Sequence, residues 1–258
     1  DLSFTDTGLT ACFDANKGDL VYVAQLHNLN CAGDVAMSSI EGLDQLYGLK
    51  HVSLPNEPNL NLVVLTDYNP LFNLPQLEHL SLDNHAFDDT DLLGLSTSNS
   101  SIRLRDLWLA GTDVTDLSNL VQSINLDFVH LWGTTAFDLS PLANLPRLSG
   151  VALNTHQLDS PDVNIDAVKL LDLPHLRTLY LHGPLVTTAV GDSDPAGVIP
   201  ELVNLEFLSV GYDASIDDGF LSTISNNLIN LHRGLELNSS AVSDITPIGE
   251  LTNLKELH

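Results

Sequence analysis

Leu104-Arg105-Asp106-Leu107-Trp108-Leu109, followed by Leu126-Asp127-Phe128-Val129-His130-Leu131, decides how the rest of the chain is read. Both stretches have the pattern L-x-x-L-x-L, and their starts lie 22 residues apart. Within each, apolar residues alternate with outward-facing ones, as on a short strand with one buried face. Further copies start at Leu26, Leu49, Leu77, Leu148, Leu176, Leu205 and Leu254, and an imperfect one starts at His232. Consecutive starts are separated by 22 to 29 residues, the period of a leucine-rich repeat. One such unit cannot bury its apolar face alone, so the units must stack. The expected fold is α/β: a right-handed leucine-rich-repeat solenoid with a parallel concave β-sheet and a mixed 3₁₀/α convex side.

The returns between strands differ in length. The 22-residue units carry Val114-Thr-Asp-Leu117-Ser-Asn-Leu120, Phe137-Asp-Leu139-Ser-Pro-Leu142 and Val242-Ser-Asp-Ile245-Thr-Pro-Ile248. Ser or Asp as initiator and Pro in the first turn suit a 3₁₀ segment. Longer units have room for an α-helix. One is expected from Ser160-Pro161 toward Leu171, and another from Asp217 or Asp218, with Phe220, Leu221, Ile224 and Leu228 inward. Residues 184–200, rich in Gly, Pro and Asp, read as an irregular loop.

The first 25 residues read as a helical cap and 26–258 as an array of ten repeats. Asp6 or Thr5 can accept the first free N–H groups of the cap helix. Leu9, Cys12 and Phe13 share one face of it, and Gly18 stops it. Leu20–Cys31 is expected to supply the initial strand. The only cysteines, Cys12 and Cys31, lie at the end where a solenoid needs a seal. They are either separate buried thiols or a bridge, and their position favours a disulfide and hence an oxidising compartment. The last repeat stops at Leu257-His258, before its third apolar position, so a truncated C-terminus is expected.

The runs DLSPLANLPRL (138–148) and DITPIGELTNLKEL (244–257), with the opening Phe4-x-Asp6-x-x-Leu9, resemble the internalin-type leucine-rich repeats of bacterial surface proteins. That resemblance implies a secreted or cell-surface protein and a binding role. The sequence departs from the pattern at the asparagine expected two residues past the third apolar position's neighbour. Glu57, His85, Thr112, Thr134, His156, Pro184, Asp213 and Ser240 stand there instead.

Nine Lys+Arg against 34 Asp+Glu give a formal charge of −25, which argues against nucleic acid and anionic membranes as partners. There is no apolar run long enough to insert in a bilayer. No nucleophile elbow, phosphate loop or metalloprotease motif is present, so no catalytic residues and no cofactor are expected. His51 and His79 share an outward position, but a zinc site needs three or four ligands. Asp192-Ser-Asp194 opens like a calcium loop but lacks the later acidic ligand. No metal is expected at either place.

The binding signal is aromatic. Trp108, Phe128, His130, Trp132, Tyr180, His182, Phe207 and Tyr212 fall on outward strand positions or at strand exits. Large amphipathic rings on an acidic surface point to a protein partner, with a glycan stacked on the tryptophans as the alternative, or an intracellular scaffold of the same fold. Lys50, Arg105, Arg177, Arg233 and Lys255 each follow the first apolar position, where cross-strand pairing with neighbouring carboxylates is expected.

Overall fold

The computed structural model describes residues 4–31, 35–54, 56, 65–136, 138–154, 167–183, 195–212, 216–238 and 240–258. The chain forms two compact units, Asp1–His130 and Leu131–His258. Nine strands are found among the described residues: β1 (Asn28–Asn30), β2 (His51–Ser53), β3 (His79–Ser81), β4 (Asp106–Trp108), β5 (Phe128–Trp132), β6 (Gly150–Asn154), β7 (Thr178–His182), β8 (Phe207–Gly211) and β9 (Gly234–Asn238). Within each unit the pairing is parallel and follows the order of the chain. This is the leucine-rich-repeat solenoid fold expected from the period.

The register matches the repeat pattern. In the first unit Asn30, Ser53, Ser81, Trp108 and His130 are successive partners, as are Asn28, His51, His79, Asp106 and Phe128. In the second, Ala152, Tyr180, Ser209 and Glu236 form one ladder and Asn154, His182, Gly211 and Asn238 the next. The inward residues Leu107, Leu109, Val129, Val151, Leu179 and Leu208 are buried, as are the first apolar positions from Leu26 to Leu205. In the last repeat Leu257 bridges Leu235 in parallel but stays 43% exposed.

At the N-terminal edge, α1 (Thr7–Lys17) covers the first strand. Cys12 and Cys31 are joined in a disulfide with a Cα–Cα distance of 5.2 Å. Beside it, Asn16 takes the place of a missing strand. Its Nδ2 donates to the carbonyl of Asn30 at 3.0 Å, and its Oδ1 accepts the Asn30 N–H at 3.1 Å. One side-chain amide thereby satisfies a backbone pair that would otherwise invite another chain. The expected strand from Leu20 is shorter than the sequence reading: only Asn28–Asn30 pair as strand, and Val23–Gln25 is 3₁₀. The cause is local, because Gln25 Oε1 accepts the N–H groups of Val21 and Tyr22 and folds the segment back.

Aspartates organise the returns. Ser118–Gln122, Ser140–Asn144 and Thr246–Glu250 are 3₁₀ segments, each opened by an aspartate that accepts an N–H two residues on: Asp116 from Ser118, Asp138 from Ser140, Asp244 from Thr246. The longer units hold α2 (Asn69–Phe72), α3 (Asp89–Ser96), α4 (Pro195–Val198) and α5 (Asp218–Asn227). Asp88 caps α3 and Asp217 caps α5, and Phe220, Leu221, Ile224 and Leu228 are buried as expected. The expected helix start at Ser160-Pro161 lies outside the described residues, and Ala167–Asp172 is 3₁₀ rather than α. Residues 184–194 of the expected loop, with Asp192 and Asp194, also lie outside them. Residues 195–201 are helical, contrary to that reading.

The second aspartate of each Asp-Asp pair reaches the following repeat. Asp89 accepts the N–H groups of Thr115 and Asp116 and the Thr115 hydroxyl; Asp218 does the same with Ser243 and Asp244. In the cap, Asp6 combines both tasks. Its Oδ1 caps Leu9 at 2.9 Å, while its Oδ2 accepts from Ser38 and Ser39. For Asp6 and Asp89 burial alone would raise the carboxyl pKa, but these hydrogen bonds outweigh it and hold the group below its usual range. For Asp218 the backbone bonds from Asp244 and Ser243 do so directly.

At the vacated asparagine position, His85 Nε2 meets the Leu54 carbonyl of the neighbouring strand. Thr112 and Thr134 turn back onto the carbonyls of Leu109 and Leu131 at 2.8 and 3.1 Å. Glu57, His156, Pro184 and Asp213 lie outside the described residues.

Two expectations follow. The disulfide closes a segment with a sequence separation of 19, so Cys12→Ser with Cys31→Ser should cost about 3 kcal/mol in equilibrium unfolding. The carboxylate bridges should make the fold acid-sensitive. A pKa lowered by folding contributes stability above the ordinary carboxylate value and loses it as pH falls through the folded value. Asp89→Asn and Asp218→Asn should each lower the melting temperature at neutral pH, and each variant should lose less stability than the parent on acidification. Equal acid dependence in all three proteins would show that these bridges do not stabilise.

Candidate functional site

The outward side chains inherit their spacing from the strands, about 4.8 Å apart. An aromatic ring is broader than that interval, so neighbouring rings must lean over one another. In the first unit Trp108 is the centre. Its ring lies 4.5 Å from His130, 5.8 Å from Phe128 and 6.1 Å from His79, centroid to centroid. His79 continues the row to His51 at 5.7 Å, and its Nδ1 lies 3.6 Å from Asp106. In the second unit Trp132 meets His182 at 5.4 Å, His182 meets Tyr212 at 5.7 Å, and Tyr180 meets Phe207 at 4.8 Å.

All eight sequence-selected residues thus stand on the outward face or at a strand exit, in two groups. Three of them are less accessible than the pattern suggested: His130 is 8%, His182 6% and Phe207 9% exposed. Trp108, Phe128, Trp132 and Tyr180 are half-buried, and Tyr212 is exposed. The buried rings form a floor and the others a rim. Burial pushes the His130 imidazole down to about 4, so the floor of the first group stays neutral at physiological pH. Burial, reinforced by nearby Glu236, raises the Tyr180 phenol.

Polar groups accompany the rings. His182 Nε2 lies 2.8 Å from Ser209 Oγ, and Asn238 Nδ2 donates to the same oxygen at 3.4 Å. A serine beside a histidine invites a catalytic reading, but Ser209 is fully buried. In the first unit Asp83 lies two residues past Ser81, the partner of Trp108. Its carboxylate accepts the Ala110 N–H at 2.9 Å and the Ser81 hydroxyl at 3.3 Å. Burial nevertheless holds it above the usual carboxylate range. The sequence reading places Asp83 on an outward position, near His51 and His79, but does not include it among the partner-site residues. The basic residues behave as expected where pairs are seen: Lys50 pairs with Glu78 at 3.1 Å and Arg177 with Glu206 across adjacent strands. Among the described residues no group of three His, Cys, Asp or Glu is arranged to hold a metal ion.

Tyr212 breaks a backbone rule. The chain leaves the strands through a left-handed residue at Asn84, Gly111, Gly133, Gly183 and Tyr212, with φ of 61°, 65°, 69°, 106° and 62°. Gly and Asn adopt that conformation readily, whereas a tyrosine there is strained by roughly 1–2 kcal/mol. Such strain persists where a side chain serves another purpose. Tyr212→Gly should therefore stabilise the fold by about 1 kcal/mol in denaturant unfolding. A loss of stability would mean that the ring is held for packing against His182.

No family model matches the sequence, and no curated protein matches it. Among solved structures the chain is similar to an internalin, InlF, from Listeria monocytogenes str. 4b F2365. The identity is 22% and the TM-score 0.63, covering 99% of this chain and 69% of that one. A second match is internalin C2, InlC2, of the same strain, at 20% identity and a TM-score of 0.38, covering 98% of this chain and 83% of that one. The likeness to InlF is one of fold, the leucine-rich-repeat solenoid.

Proposed function

We propose that the protein is a non-catalytic recognition module, of adhesion type, that binds a protein partner through the aromatic groups on its strands. The observation that carries this reading is the placement of Trp108, Phe128 and His130 in one unit and Trp132, Tyr180, His182, Phe207 and Tyr212 in the other. All lie on outward positions, and one is kept at a backbone cost. Rings fixed by paired strands lose little freedom on binding, so their buried area converts efficiently into affinity. The protein acts at a bacterial surface or after secretion. The Cys12–Cys31 disulfide belongs in an oxidising compartment, and among the described residues no helix is long and apolar enough to cross a membrane.

The test begins with capture of a partner by the immobilised protein. Melting and affinity are then measured separately for Trp108→Ala and Trp132→Ala. Both rings are half-buried, so a modest drop in melting temperature is expected. At least one variant should lose about 2 kcal/mol or more of binding, roughly thirtyfold in affinity. Unchanged affinity in both folded variants would place the binding surface elsewhere.

A further inference from the structure

We infer that the face around Trp108 receives a cationic side chain, lysine or arginine, of the protein partner. The inference rests on the recognition role proposed above and adds the chemistry of what is recognised. Trp108 is half-buried and walled by His79, Phe128 and His130, with interplanar angles of 51°, 38° and 56°. Tilted rings around an indole suit a cation, which the negative faces of the π-systems attract.

Two carboxylates stand near that indole in the strand register. Asp106 lies two residues before Trp108 on β4, so both point to the same side of the strand. Asp83 lies on the neighbouring strand's exit, where it accepts the Ala110 N–H. Its position is costly: two hydrogen bonds do not bring its carboxyl down to the ordinary range, because burial disfavours the ionised form. A cation arriving beside it would remove that penalty, whereas an aliphatic side chain would deepen it. The neighbouring lysine is already engaged, since Lys50 lies 3.1 Å from Glu78. The charge of the whole chain, −25, favours approach of a basic partner.

The experiment uses the full chain and small probes. The two indole N–H resonances are assigned with Trp132→Phe, and the protein is titrated at constant ionic strength with N-acetyl-lysinamide, N-acetyl-argininamide and the neutral N-acetyl-norleucinamide. The cationic amides should shift the Trp108 resonance saturably, and the neutral one should not. Asp83→Asn should weaken the cationic response about fivefold, and if that variant melts early, Asp106→Asn serves instead. Equal shifts from norleucinamide would overturn the cationic assignment while leaving an apolar docking face. No shift from any probe would overturn it too. In both cases the recognition role itself is judged separately, by partner affinity of Trp108→Ala.

Discussion

A strand of three to five residues has no stability of its own, and here every strand is that short. Its N–H and C=O groups are satisfied mainly by the strands before and after it, and its inward leucines are buried mainly by theirs; at β1 the cap helix and Asn16 stand in for the missing neighbour. Stacking is therefore compulsory rather than favourable, and everything else in the molecule serves it. The 3₁₀ returns keep the strands at pairing distance, the cap helix closes the first apolar layer, and the aspartates tie one return to the next. Part of the chain's acidity acts within the fold. Asp6, Asp89 and Asp218 are bonded into backbone amides of a following repeat, and Asp116, Asp138 and Asp244 open the short returns.

The period and the inward pattern were legible because they are properties of a repeated unit, visible in every copy. The register followed from them down to individual partners such as Ser81 and Trp108. Legible for the same reason were Asp-x-Ser/Thr turns and the helix beginning at Asp218. What escaped depends on side chains meeting across repeats. Whether His130 or His182 lies open cannot be read from alternation, because both are outward by position and buried by the neighbours leaning over them. The short first strand turns on one glutamine side chain, Gln25, competing for two N–H groups. The second role of Asp89 was hidden because the N–H groups that donate to it stand 26 and 27 residues away.

The candidate site combines rigid support with local exceptions to the rules that built it. Outward positions lie outside the leucine core, so the inward packing of the solenoid does not require a tryptophan at 108 or 132. Tyr212 stands where glycine or asparagine serves elsewhere, and Asp83 keeps a carboxylate where water is scarce. Each exception has a cost within the fold that an external contact would offset. This gives a physical reason to look for recognition at these residues rather than along the better satisfied parts of the same face.

The paired aspartates also bear on how such an array can change over generations. Asp88-Asp89 holds its own helix with the first carboxylate and the next return with the second, and Asp217-Asp218 is built alike. The receiving side must offer a Ser or Thr hydroxyl and two adjacent amides, as Thr115-Asp116 and Ser243-Asp244 do. Repeats are therefore not interchangeable beads. A repeat of the α3 or α5 kind, duplicated or moved, carries a carboxylate that needs a matching successor. For the α3 and α5 repeats, therefore, the unit that keeps its bonds when moved is the pair, the helical repeat together with the short one that follows it.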